Sequence, residues 1–178
     1  MWLRGAPPSG GAPFPPVSPL RSSTDLPDPA TIQPARVLLA SEGREIPQRA
    51  LEFAARLARQ GGGAVHVFSI ARVWGTSLGL PNPGLMPSKG EWDAQRDLVA
   101  AAVKALKRKG IKADGHVLAT RKSTKRIVSE AERLGCDVIV MGGDPPRNRL
   151  VGDFIWSQEP YRVRRRAGRP VYVVTEDV

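Results

Sequence analysis

Four glycines, Gly61, Gly110, Gly135 and Gly168, each stand a few residues ahead of a short apolar run. Upstream of each glycine the apolar residues recur at helical spacing, and downstream they become consecutive. That alternation constrains the fold more than any other feature. An apolar run rich in β-branched residues, without polar alternation, reads as a strand buried on both faces, and the amphipathic helices between such strands supply the cover. Right-handed crossovers then place the helices on both sides of a parallel sheet.

The clearest of these strands is Cys136-Asp137-Val138-Ile139-Val140-Met141-Gly142-Gly143, predicted to be an inner strand. The others are expected over residues 36–40, 64–70, 113–119 and 171–174. Ile46, Ala50, Phe53, Ala54 and Leu57 predict a first helix that ends at a left-handed Gly61. Residues 91–108 predict the longest helix, with Trp92, Val99, Ala102, Val103 and Leu106 on one stripe and Gly110 as its stop. Ser123 is the expected cap of a helix carrying Ile127, Val128, Ala131 and Leu134, and Ser157 that of a final helix with Val163 and Ala167 inward. The glycine- and proline-rich residues 74–90 read as a long loop.

Residues 1–34 have a different character. Nine prolines among Gly, Ser and Ala, with no hydrophobic period, predict a disordered extension ahead of a domain spanning 35–178. At 178 residues and 41% hydrophobic content, the chain suffices for one domain with a sizeable core. No apolar run approaches the roughly 18 residues of a membrane span, and prolines interrupt the place where a signal peptide has its apolar middle, so a cytoplasmic location without membrane attachment is expected. The net charge of +10 belongs to the domain, because Arg4 and Arg21 balance Asp25 and Asp28 in the extension. The one cysteine excludes an internal disulfide, and at a strand entrance Cys136 reads as a small buried hydrophobe.

In a doubly wound sheet, ligands sit outside the carboxyl ends of the strands where strand order reverses. This directs attention to the loops after the first and fourth strands. There Gly142 and Gly143 would let backbone approach a ligand without an intervening side chain.

The residues also carry a resemblance. Arg36-Val37-Leu38-Leu39-Ala40-Ser41-Glu42-Gly43 followed by Arg49-Ala50-Leu51-Glu52-Phe53-Ala54-Ala55-Arg56-Leu57-Ala58 is similar to the opening of the universal stress protein family, and residues 136–142 and 169–174 resemble its fourth and fifth strands. The resemblance spans 35–175. It implies an open five-stranded parallel α/β sheet in the order 3-2-1-4-5, Rossmann-like and of the adenine nucleotide alpha hydrolase-like type. It also implies a non-enzymatic stress-response protein, a homodimer paired through the fifth strand at the sheet edge, and ATP or AMP as the ligand of those members that bind one.

The nucleotide-binding candidates are Ser41, Glu42, Gly43, Ile70, Met141, Gly142, Gly143, Arg147, Arg149 and Ser157, of which Glu42 and Gly142 fall at the resembled family's own site positions. Glu42 stands where binding members more usually have Asp. Their phosphate loop has Gly, two residues, Gly, nine residues, then Gly-Ser or Gly-Thr. Gly142 meets the first position, but Pro145 stands at the second and Ile155-Trp156 at the last pair. Pro145 and Pro146 remove amide donors, Asp144 and Asp153 add repulsion, and Trp156 adds bulk. Against these, Arg147 and Arg149 are suited to phosphate and Ser157 opens a helix, although Glu159 competes for the same amides. The reading favours a degenerate site that does not hold ATP in the usual way, with an ATP- or AMP-binding regulator as the alternative.

Other constellations are weaker. His66 and His116 fall in neighbouring strands with no metal-type spacing, which favours core or sheet-edge histidines, and no catalytic set is expected. Arg162, Arg164, Arg165, Arg166 and Arg169 form the densest charge cluster. Without interleaved aromatics it reads as a solvated face before an acidic protein partner, and nucleic acid is disfavoured.

Overall fold

The computed structural model of the chain describes residues 26–72, 86–143 and 158–175. Among these the elements run β1 (Arg36–Ser41), α1 (Gln48–Gln60), β2 (Ala64–Arg72), α2 (Lys89–Arg108), β3 (Lys112–Thr120), α3 (Ser123–Arg133), β4 (Val138–Gly143), α4 (Glu159–Arg166) and β5 (Val171–Thr175). The strands form one sheet in the order β3-β2-β1-β4-β5, and every pairing is parallel. This is the expected fold class and strand order.

Strand alternation divides the core into two layers. Val37, Leu39, Val138 and Val140 point to the side covered by α1 and α2, where they meet Leu51, Leu57, Val99 and Leu106. Leu38, Ala40, Ile139 and Met141 point to the other side, with Ile127 of α3 and Val163 of α4. All eight of these strand residues are at most 3% exposed, so the central pair β1 and β4 is dry on both faces, as the unbroken apolar runs require. Each fully buried aliphatic side chain contributes about 1.5–3 kcal/mol. Burial of the strand faces and helix stripes therefore dominates the energetics, and helix α1 forms without any side-chain cap.

Several local expectations are corrected. Gly61 is not left-handed: its φ is −93°, and Gly62 at +62° makes the turn instead. Gly61 is required for closeness, because a Cβ there would lie 2.2 Å from the Pro34 carbonyl oxygen. The second long helix begins at Lys89 inside the expected loop, set by a capping box in which Ser88 Oγ accepts from Glu91 N and the Glu91 carboxylate accepts from Ser88 N at 2.6 Å. Ser123 is the first residue of α3 rather than its cap, Lys122 holding that place. Helix α4 begins at Glu159 after Gln158, and it closes through an extended Ala167 rather than a glycine.

The end of the expected extension also differs. Residues 26–34 lie against the domain, with Ile32 packed on the first core layer, Pro34 buried and the Tyr172 hydroxyl donating to the Pro27 carbonyl at 2.6 Å. A turn closed by Thr31 N donating to Asp28 O at 3.0 Å shapes this segment. Residues 1–25 lie outside the described residues. Among the described residues no helix is long and apolar enough to cross a membrane.

Candidate functional site

The carboxyl ends of β1 and β4 lie side by side, with Ala40 paired to Met141, and past them the sheet opens into a cavity of about 450 Å³. One wall is Ala40, Ser41 and Glu42, another is the loop from Arg44 to Gln48 at the start of α1, and the floor is Met141, Gly142 and Gly143. This is the crevice at the strand-order reversal, flanked by a helix N-terminus whose first turn carries no acidic residue. Its size falls within the range of small-molecule sites.

The loop after β1 is built by local hydrogen bonds and held by a distant residue. Ser41 Oγ donates to the Arg44 carbonyl at 2.5 Å and accepts from Arg44 N at 3.1 Å, a hydroxyl-closed turn. Gln95 of α2 then donates through Nε2 to the Gly43 carbonyl at 3.1 Å, while its Oε1 accepts from the buried Ser69 hydroxyl at 2.6 Å. The Gln95 side chain thus ties the loop to β2. Glu42 is only 3% exposed, and its carboxylate lies 3.7 Å from the Arg44 guanidinium. The cavity therefore presents a buried acidic wall.

The two floor glycines have a packing reason of their own. A Cβ on Gly142 would lie 2.5 Å from Pro47 Cδ and 2.6 Å from Pro47 Cγ, and one on Gly143 would lie 2.4 Å from Val173 Cγ1. Close approach is required here, but of the protein's own side chains.

The nucleotide-binding candidates separate into three groups. Ser41, Glu42, Met141, Gly142 and Gly143 line the cavity. Gly43 instead faces Gln95 through its carbonyl, and Ile70 is fully buried in the second core layer with Leu38 and Phe68, so the structure does not bring these two into the cavity wall. Arg147, Arg149 and Ser157 lie outside the described residues. Pro47 and Gln95 were missed. A proline just ahead of a helix was a usable signal for Pro47, whereas nothing local marks Gln95.

On the arginine-rich helix α4, Val163 is buried, Arg165 and Arg166 are exposed, and Arg162 pairs with Glu159 at 3.8 Å. Arg169 instead turns inward, donating to the carbonyls of Ala131 and Cys136 at the opposite end of the sheet. Burial pushes the neighbouring Cys136 thiol up to about 11.

The histidines are arranged in a way their spacing does not suggest. The β2–β3 register, with His66 opposite Asp114 and Phe68 opposite His116, turns both rings to one face. His66 Nδ1 lies 2.5 Å from Asp114 Oδ1, His66 Nε2 lies 2.8 Å from His116 Nδ1, and His116 Nε2 lies 3.1 Å from Glu130 Oε1. Glu130, on α3 and 1% exposed, also accepts from Arg133. Burial pushes the Glu130 carboxyl up, but the Arg133 hydrogen bond and the charges around it outweigh this and hold it below its ordinary range. His116 is lowered, chiefly by burial, against the opposing pull of Glu130.

The universal stress protein family model matches residues 35–175 of the chain. A universal stress protein from Archaeoglobus fulgidus is similar in structure, at 22% identity and a TM-score of 0.59, covering 78% of this chain and 91% of that one. A structure of the universal stress protein from Archaeoglobus fulgidus in complex with dAMP is similar at 21% identity and a TM-score of 0.58, covering 80% and 98%. A universal stress protein in complex with cAMP is similar at 16% identity and a TM-score of 0.58, covering 82% and 100%. At these identities the structural likeness shows the fold. No curated relative is matched by sequence.

Proposed function

The chain belongs to the universal stress protein family, and from that premise we propose that it acts by binding rather than catalysis, through a nucleotide site altered so that it does not hold ATP in the family's usual way. The observation that carries this is the broken phosphate motif: Pro145 stands where binding members have the second glycine, and Ile155-Trp156 where they have Gly-Ser or Gly-Thr. The acidic Glu42 in the cavity wall does not decide between the readings, since binding members carry an acidic residue there too. A proline at position 145 offers no backbone amide to a phosphate. A buried carboxylate accepts hydrogen bonds from hydroxyl or amino groups, so the cavity suits a ligand rich in donors and poor in phosphate.

A second reading, AMP or a similar monophosphate as ligand, is favoured by the cavity's place at the strand-order reversal and by the relatives whose structures hold dAMP and cAMP. Pairing of two copies through the open edge of β5 belongs to the same proposal, since β5 ends the sheet. Thermal melting and isothermal titration of the full chain with ATP and with AMP separate the readings. For a Kd of about 10 µM, about 1 mM ligand would stabilise the fold by about 2.7 kcal/mol. The expected result is no heat and no rise in Tm with ATP. Stoichiometric heat with a Tm rise of several degrees in ATP would overturn the altered-site reading, and a response to AMP alone would establish the second.

A further inference from the structure

The four groups Asp114, His66, His116 and Glu130 form an unbroken row in which each ring nitrogen of both histidines meets a partner. Their hydrogens can be counted. A carboxylate accepts only, so His66 must present Nδ1–H to Asp114 and His116 must present Nε2–H to Glu130. A neutral imidazole has one N–H. The two nitrogens that face each other at 2.8 Å, His66 Nε2 and His116 Nδ1, are then both bare lone pairs. Three contacts need three hydrogens and two neutral rings supply two, so a cation belongs between them.

We propose that His66 Nε2 and His116 Nδ1 ligate one borderline divalent transition-metal ion of the zinc class, with Asp114 and Glu130 orienting the two rings from behind. A carboxylate on the outer N–H of a metal-bound imidazole is the arrangement that fixes its tautomer and raises its basicity, and here both rings have one. Two Zn–N bonds of about 2.0–2.1 Å at a tetrahedral angle set the nitrogens about 3.3 Å apart, so they must separate by about half an ångström. The geometry allows it: Asp114 is on the edge strand with its side chain 80% exposed, and the His116 side chain is 30% exposed, which also opens the site to the ion and to water in its remaining positions. Arg133 pairs with Glu130 and Arg126 lies nearby, so the two carboxylates are balanced by two guanidiniums. Attraction thus rests on nitrogen lone pairs rather than on net charge, which selects zinc-class ions over Mg²⁺ and Ca²⁺.

The chain has two histidines, so any imidazole-bound metal must use these. Long-range ¹H–¹⁵N spectra of the tag-free full chain at pH 8, titrated with Zn²⁺, read each ring directly. The expected result is saturation at one equivalent, with His66 held as the Nδ1–H tautomer and His116 as the Nε2–H tautomer, and no response to Mg²⁺. Glu130→Gln weakens binding about tenfold or more, and His66→Ala abolishes the shift at His116. If neither ring responds to Zn²⁺ while both respond to pH, the proton alone occupies the gap and the proposal is wrong. Finding the same tautomer on both rings would overturn it equally, and that measurement needs no variant to fold.

Discussion

Substituting Gly142 by alanine tests whether the floor of the cavity is set by the protein's own packing. The added Cβ would lie 2.5 Å from Pro47 Cδ and 2.6 Å from Pro47 Cγ. Carbon atoms in contact settle at about 3.5–4.0 Å, so the two groups must part by about an ångström. Neither can yield by changing rotamer, because alanine has none and the Pro47 ring is fused to the backbone at the N-cap of α1. Either α1 shifts off β1 and β4, loosening the layer that contains Ala50, Leu51 and Ala54, or β4 bends. Overpacking of this kind costs about 1–3 kcal/mol, and with rigid partners on both sides the upper half of that range applies. For a domain of this size that lowers Tm by about 6–12 °C.

Urea melts of Gly142→Ala beside Gly168→Ala make the measurement. Gly168 has nothing within 4 Å of its would-be Cβ and no positive φ, so its substitution should change stability by about 0.5 kcal/mol or less. The expected outcome is a fall in the midpoint for Gly142→Ala with an unchanged slope. Equal midpoints for the two variants would refute the argument that Pro47, rather than a ligand, explains the glycine.

Two further outcomes follow from the same packing. Cys136, 1% exposed, should react with iodoacetamide only on unfolding. Because its folded pKa of about 11 stands above the ordinary 9.0, its contribution is whole below pH 9 and is lost as pH rises toward 11, a difference of about 2–3 kcal/mol that Cys136→Ala should remove from the alkaline limb of the stability curve; native-state labelling at the rate of a free thiol would contradict this. Gln95→Ala leaves the Gly43 carbonyl and the Ser69 hydroxyl without their partner, which should cost about 2–4 kcal/mol and speed amide exchange across residues 43 and 44, whereas unchanged exchange there would show that the loop holds itself.

How much of this was legible from the chain alone depends on the distance over which each cause acts. Periodicity is local. Val138, Ile139, Val140 and Met141 have to be a strand buried on both sides because no neighbour could make that run soluble, and Ala50, Ala54 and Leu57 have to line one stripe of a helix. Alternation of such segments then dictates a parallel sheet and places its crevice past β1 and β4. Capping is nearly as local, yet it misleads at Ser123, because several residues near a boundary satisfy the same rule and only packing chooses among them.

What the tertiary structure alone decided are contacts whose partners lie far apart in the chain. That Gly61 is needed for the Pro34 carbonyl, and Gly142 for the Pro47 ring, cannot be seen from either glycine, since any chain may use a glycine for a turn, for a ligand or for itself. Gln95 reaches the loop after β1 across more than fifty positions. His66 and His116 face each other only because parallel strands pair in one register, and a slip of one residue would turn one ring to the opposite face of the sheet. Register is a property of the assembled layers, and burial of both faces at once is what selects it.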